Sequence, residues 1–197
     1  MSHTYRTVEV PVAGGELLVG IWDPEGEPIA TVLAIHGVTS SHLAWPLVVE
    51  QLPGVRVIAP DLRGRGGSRE VQGPAGMAAH ADDVVAVLDA LGEDRVPVIG
   101  HSMGAFVAVV LADRHPSRVS RLVLVDGGLP LDVPEGLTPE QTVAVILGPT
   151  AERLARRWSG VEEYREGFWR SHPAFADDWS TQLEEYIAYD LVPDGEV

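Results

Sequence analysis

Four stretches of this chain are predominantly apolar, without a polar residue at every second position: "ATVLAIHG" (30–37), "VRVIAPD" (55–61), "RVPVIGHS" (95–102) and "VSRLVLVDGG" (119–128). A strand with one wet face alternates polar and apolar residues. A strand that is apolar throughout is covered on both faces, as in a mainly parallel sheet. Helical patterns fall between these runs, at 42–52, 76–92 and 103–116. Strand and helix in turn predict an α/β fold whose parallel sheet carries helices on both sides. Two shorter β-rich segments, 6–12 and 16–22, precede it, with Ala13-Gly14-Gly15 as a hairpin turn. Pro46 fits only the first turn of its helix, with Ser40 or Ser41 as the cap.

In such sheets ligands sit beyond the carboxyl ends of the strands. His36-Gly37, Asp61, Ser102 and Asp126 all fall at those ends. Ser102 stands out among them. It lies between Gly100 and Gly104 in "GHSMG", where a buried strand passes straight into a helix. That corner forces a strained backbone, lifts the hydroxyl clear of the sheet and aims the helix N-terminus at the same spot. The Met103 amide is one candidate oxyanion donor, and the Val38 amide, leaving the neighbouring strand, is the second. The bland reading of Ser102 is a serine in a structural turn.

After residue 128 the pattern changes. "LPLDVPEGLTPEQ" is a loop rich in proline and acid, followed by helical segments at 138–147, 150–158, 161–170 and 176–190. The domain division expected is therefore 1–128 as sheet domain and 129–197 as helical cap. Eight of the large aromatics lie in the second part: Trp158, Tyr164, Phe168, Trp169, Phe175, Trp179, Tyr186 and Tyr189. They either pack these helices together or line an apolar pocket below. Gly37, Trp158 and Trp169 are the substrate-binding candidates.

The segments "AIHGVTSSHLAW", "PDLRGRGGS", "GHSMG" and "LVLVDGG" resemble the α/β-hydrolase family, in its capped esterase and lipase-like branch. The resemblance covers residues 1–130 well and the rest loosely. It implies Ser102 as nucleophile, with the Val38 and Met103 amides as oxyanion hole. It also implies that Asp61 and Arg63 hold a loop. An aspartate at the position of Ser102 would instead mark a dehalogenase or epoxide hydrolase.

The family's order of serine, acid, histidine places the base after the last strand. The expectation is that this chain is the N-terminal part of a longer enzyme, since two more strand–helix units need about 60 further residues. Of the histidines, His36 belongs to the oxyanion turn and reads as structural. His101 points away from its neighbour, His42 near the rim is a candidate for substrate contact, and His172 in the cap is a candidate for approaching the site. Asp126 is a candidate acid; alternatively it caps the turn "DGG". The sheet would end in an uncovered apolar edge after 121–126, calling for a partner chain, an oligomer or a covering segment.

The remaining composition narrows the class. The formal net charge is −15, and all 14 basic side chains are arginine. Such a charge argues against nucleic acid or an anionic membrane as partner. No cysteine is present, so thiolate metal sites are excluded. No lysine follows the glycines of "RGRGG", which excludes a P-loop. No secretory leader or membrane-length run is visible, which makes a cytoplasmic location the default. The expected activity is hydrolysis of an ester or related acyl substrate with an apolar portion, without metal or organic cofactor. The alternatives are carbon–carbon bond hydrolysis, cofactor-free perhydrolysis, and a non-catalytic binding module or assembly subunit on the same fold.

Overall fold

A computed structural model describes residues 3–130, 136–175 and 179–192. The chain divides into two compact units, Met1–Gly128 and Leu129–Val197. The first is built on a six-stranded sheet of order β1-β2-β4-β3-β5-β6.

β1 (His3–Val12) and β2 (Gly15–Pro24) form an antiparallel hairpin in continuous register from His3↔Pro24 to Val12↔Gly15. Its two-residue turn is Ala13-Gly14, and Gly14 takes φ +94, a region open to glycine at little cost. β2 joins β4 (Val55–Pro60) antiparallel. From there the sheet is parallel: β4 with β3 (Ala30–Ile35), β3 with β5 (Val96–His101), and β5 with β6 (Val119–Val125). The apolar runs are these four strands.

Alternate residues of the parallel strands feed two cores. Leu33, Ile35, Val96 and Val98 pack on one face with Ala81, Val84, Val87 and Leu88 of α2 (Met77–Ala90) and Val107, Ala108 and Leu111 of α3 (Met103–Arg114). Ala34, Val57 and Ala59 pack on the other with Trp45 and Val49. Helical structure therefore covers both faces. Each fully buried Leu, Ile or Val contributes about 1.5–3 kcal/mol, so the larger core dominates the stability of this unit.

The second face differs from the sequence expectation. The predicted helix over 42–52 is a 3-10 turn (His42–Ala44) followed by a four-residue α1 (Pro46–Val49). Pro46 occupies the first turn, as its missing N–H requires, and this cuts the segment in two. Ser41 is the cap, its hydroxyl accepting from the Leu43 amide at 3.3 Å.

β6 is the outermost strand. Leu122, Val123 and Val125 are 37 %, 49 % and 43 % exposed, and no strand pairs with its far side among the described residues. Uncovered apolar strand residues of this kind invite pairing with another segment.

The second unit contains α4 (Pro139–Ala155), α5 (Val161–Tyr164) continuing as a π-helical turn (Arg165–Trp169), a short 3-10 turn (Pro173–Phe175) and α6 (Thr181–Asp190). The sequence predicted a break near 148–150, yet α4 runs through Gly148 and Pro149 as one helix. Thr138 and Gln141 close a capping box at its start, which offsets part of the cost of an interior proline. The predicted helix start at 176–178 and part of the acidic loop (131–135) lie outside the described residues. No helix among the described residues is long and apolar enough to cross a membrane.

Candidate active site

Ser102 connects β5 to α3 with no intervening loop. Its backbone takes φ 51, ψ −119, a combination that L-residues adopt only under constraint. Three contacts impose it. The Ser102 amide donates to the Val125 carbonyl at the end of β6 (2.9 Å), and the Ser102 carbonyl accepts from Ala105 (3.0 Å). The third is close packing at the flanking glycines. A Cβ on Gly104 would lie 2.1 Å from the Ile35 carbonyl oxygen, and one on Gly100 would lie 2.4 Å from the Gly104 oxygen. Both neighbours are backbone and cannot yield. The spacing "GHSMG" is thus the sequence form of a helix pressed onto two strands.

The half-exposed Ser102 hydroxyl makes no hydrogen bond among the described residues. The β3 loop comes close to it: a Cβ on Gly37 would lie 3.3 Å from Ser102 Cβ and 3.2 Å from His101 Nδ1. The amides of Val38 and Met103 donate to no group among the described residues. Met103 opens α3, where the first N–H groups have no helical acceptor. A small residue at position 37 is what lets this loop reach the serine.

His36 fixes the orientation of that loop. It is fully buried, its Nδ1–H donates to the Gly37 carbonyl (2.7 Å), and its Nε2 accepts from the Leu62 amide (2.9 Å). The acceptor role of Nε2 sets the tautomer. Burial pushes its pKa down to about 4, against a smaller upward pull from Asp61, so the ring is neutral at pH 7. In a trans peptide the N–H points opposite to the C=O. Holding Gly37 O toward His36 therefore turns the Val38 N–H the other way.

The loop carrying "PDLRGRGGS" is tied as firmly. Asp61 is fully buried and accepts from the His42 amide (2.6 Å), His42 Nδ1 (2.9 Å) and the Gly67 amide (2.8 Å). Arg63 is clamped by both oxygens of Asp83 at 2.6 Å each and also donates to the Ala13, Gln72 and Pro74 carbonyls. Both act on loop shape. His42, a candidate for substrate contact by sequence, is 1 % exposed, with its other ring nitrogen on the Tyr5 hydroxyl (2.7 Å). It is a packing residue in a Tyr5–Trp22–His42 stack, because the short turn that replaces the expected helix buries it.

Asp126 follows β6 and has φ 50, the second non-glycine residue in left-handed backbone after Ser102. Its side chain is exposed and bonds to no histidine among the described residues. The next residue explains the bend. A Cβ on Gly127 would lie 2.5 Å from the Ser102 carbonyl oxygen, so the chain leaving β6 is squeezed past the serine corner.

Trp158 and Trp169 sit inside the second unit. Trp169 is 7 % exposed and meets Phe168, Phe175 and Tyr186 edge to face. Trp158 lies tilted on Tyr164 with the Arg156 guanidinium 3.9 Å over its ring. Arg153 bonds Tyr164 and Asp190 in the same core. No cluster among the described residues could hold a metal ion. Arg65, which sequence reasoning passed over, reaches both candidate donor segments, with Nε on the Val38 carbonyl (3.1 Å) and Nη2 near Met103 Sδ (3.6 Å).

Known proteins are similar to this chain in sequence and in fold. Lipase LipV of Mycobacterium tuberculosis is 39 % identical over 156 residues, which is 75 % of this chain and 58 % of the lipase. A 2-hydroxymuconate semialdehyde hydrolase of Pseudomonas sp. strain CF600 is 39 % identical over 112 residues, 54 % of this chain and 40 % of that protein. The chain thus spans little more than half the length of LipV and less of the second. The crystal structure of hypothetical protein PA1622 from Pseudomonas aeruginosa PAO1 superposes with a TM-score of 0.63 at 29 % identity, over 83 % of this chain and 58 % of that one. The model of the alpha/beta hydrolase fold matches residues 30–161, which include the sheet rim and the serine corner. With that match spanning well over half of its residues, this chain belongs to the α/β-hydrolase family.

Proposed function

We propose that this hydrolase cleaves an ester or related acyl substrate through an acyl-enzyme on Ser102. The observation that carries the reading is the strained serine beside two amides, with neither the serine hydroxyl nor either amide N–H hydrogen-bonded among the described residues. In this reading Ser102 Oγ attacks the acyl carbon and its proton passes to a base. The carbonyl oxygen becomes an oxyanion facing the Val38 and Met103 amides, and the alcohol leaves with a proton. Water then releases the acid. Preorganised donors of this kind contribute about 3–4 kcal/mol each to the transition state. The similarity to LipV, a lipase by name, favours an acyl substrate with an apolar portion.

In this reading the base comes from a segment outside this chain, where the family order of serine, acid and histidine puts it. Asp126, one strand over, is the proposed acid in its strained turn. The same segment, or a partner chain, would cover the open side of β6.

A fluorophosphonate probe on the native full-length polypeptide tests this. Labelling at Ser102, lost in Ser102→Ala, is the expected result. A folded protein that stays unlabelled overturns the reading.

A second reading is carbon–carbon bond hydrolysis, favoured by the similarity to the 2-hydroxymuconate semialdehyde hydrolase. Ester and dienol-ketone substrates offered side by side separate the two. Turnover of only the latter would select it.

A further inference from the structure

We infer that Arg65 is a positioning residue of the oxyanion site, tying the Val38 loop to the head of α3 and placing a fixed positive charge behind both amides. The inference rests on Ser102 being the nucleophile.

The guanidinium is a planar fork with its donors in fixed directions. Nε–H donates to the Val38 carbonyl (3.1 Å), one Nη1–H to the Arg63 carbonyl (2.8 Å), and Nη2–H points at Met103 Sδ (3.6 Å). The Arg63 contact anchors Arg65 to a loop that is itself clamped by Asp83. From that anchor it reaches Val38 and Met103, whose amides have no acceptor among the described residues. His36 already fixes the peptide before Val38 through Gly37 O, and Arg65 fixes the peptide after it. Val38 is pinned on both sides, and only its N–H is left to act.

The charge is equally specific. Arg63 and Arg118 each contact a carboxylate within 2.6 Å, and Arg114 contacts one at 2.9 Å. Arg65 has none among the described residues, in a chain with 29 acidic groups; Arg95 and Arg121 share that lack but are exposed to solvent, whereas Arg65 is half-buried. Half-burying a cation without a counter-ion is costly. Burial pushes its pKa down, but an arginine keeps its proton at any working pH. After burial itself, the charge of Arg65 also holds the His36 and His80 rings toward their neutral forms. A cation without a carboxylate beside it serves an anion that exists only during the reaction: the oxyanion. Charge placed in advance where charge develops is the main way such sites lower a barrier.

The test measures saturation kinetics of fluorophosphonate inactivation on the native full-length polypeptide and on Arg65→Met, each with its melting temperature. The limiting inactivation rate should fall about 10- to 100-fold, with the probe's reversible binding constant little changed. Arg65→Lys, which keeps the charge without the fork, should fall between the two. A purely structural arginine would instead lower melting and weaken probe binding together. An Arg65→Met protein that is folded and reacts at the wild-type limiting rate overturns the inference and leaves Ser102 as nucleophile untouched. Failure of the wild-type protein to react removes the nucleophile, and this inference with it. Should Arg65→Met not fold, Arg65→Gln, which keeps hydrogen bonds without charge, decides by the same criterion.

Discussion

The ring of His36 bridges two loops, donating to Gly37 O at 2.7 Å and accepting from the Leu62 amide at 2.9 Å. Protonation would put a hydrogen on the nitrogen that must accept, inside a fully buried site. The folded pKa of about 4 lies below the ordinary 6.5, so the unfolded chain binds the proton first. Stability from this group is complete above pH 6.5 and is lost as pH falls toward 4. The loss is on the order of 3 kcal/mol. Urea unfolding between pH 7 and 4.5 should show it, and His36→Gln should reduce that slope, leaving the share of the buried His80 ring, which is likewise pushed down to about 4. An equally steep slope in the variant would assign the effect elsewhere.

Ser102 stores strain at its φ of 51. Replacement by glycine removes the Cβ and the hydroxyl together. Ser102→Gly should therefore be more stable than wild type by about 1 kcal/mol while losing all fluorophosphonate labelling. Denaturant midpoints and mass-spectrometric labelling check the two halves separately.

Gly104 faces the Ile35 carbonyl oxygen, with 2.1 Å left for a Cβ. Gly104→Ala should cost at least about 1–3 kcal/mol, because only backbone movement can relieve the clash. Gly148 in α4 meets nothing within 4 Å. Gly148→Ala should stabilise its helix by about 0.5–1 kcal/mol. Equal effects at the two positions would contradict the packing described for the serine corner.

Arg63 and Asp83 are each 4 % exposed and share two hydrogen bonds. Asp83→Ala strands a buried cation and should cost about 3–5 kcal/mol. Thermal unfolding measures this directly. A double replacement by apolar residues should recover most of the loss, since the missing partner is the cause.

Much of this site is readable along the chain because its constraints are local. Gly100 and Gly104 flank Ser102 at fixed spacing, and the apolar runs announce strands; β3, β4 and β5 are covered on both faces as that pattern implies, whereas β6 leaves Leu122 and Val123 exposed. Asp61 and Arg63 carry loop-holding roles that their family segment already implies. The unread parts depend on contacts between distant residues. Arg65 meets Val38 and Met103, 27 and 38 positions away, and nothing in "RGRGG" distinguishes it from a solvated arginine. His42 looks like a rim residue until the short turn over 42–44 folds it onto Asp61. The glycine–proline pair at 148–149 reads as a stop, yet α4 continues through it.

The bare side of β6 has a practical corollary for anyone handling this polypeptide. Leu122, Val123 and Val125 offer a sticky strip, and mutual repulsion between molecules of formal charge −15 should oppose contact between two such strips. At about 0.1 M salt that repulsion fades beyond roughly 10 Å. Concentrated stocks should therefore stay clear in dilute buffer well above the sequence pI of 4.7 and turn cloudy as salt is added.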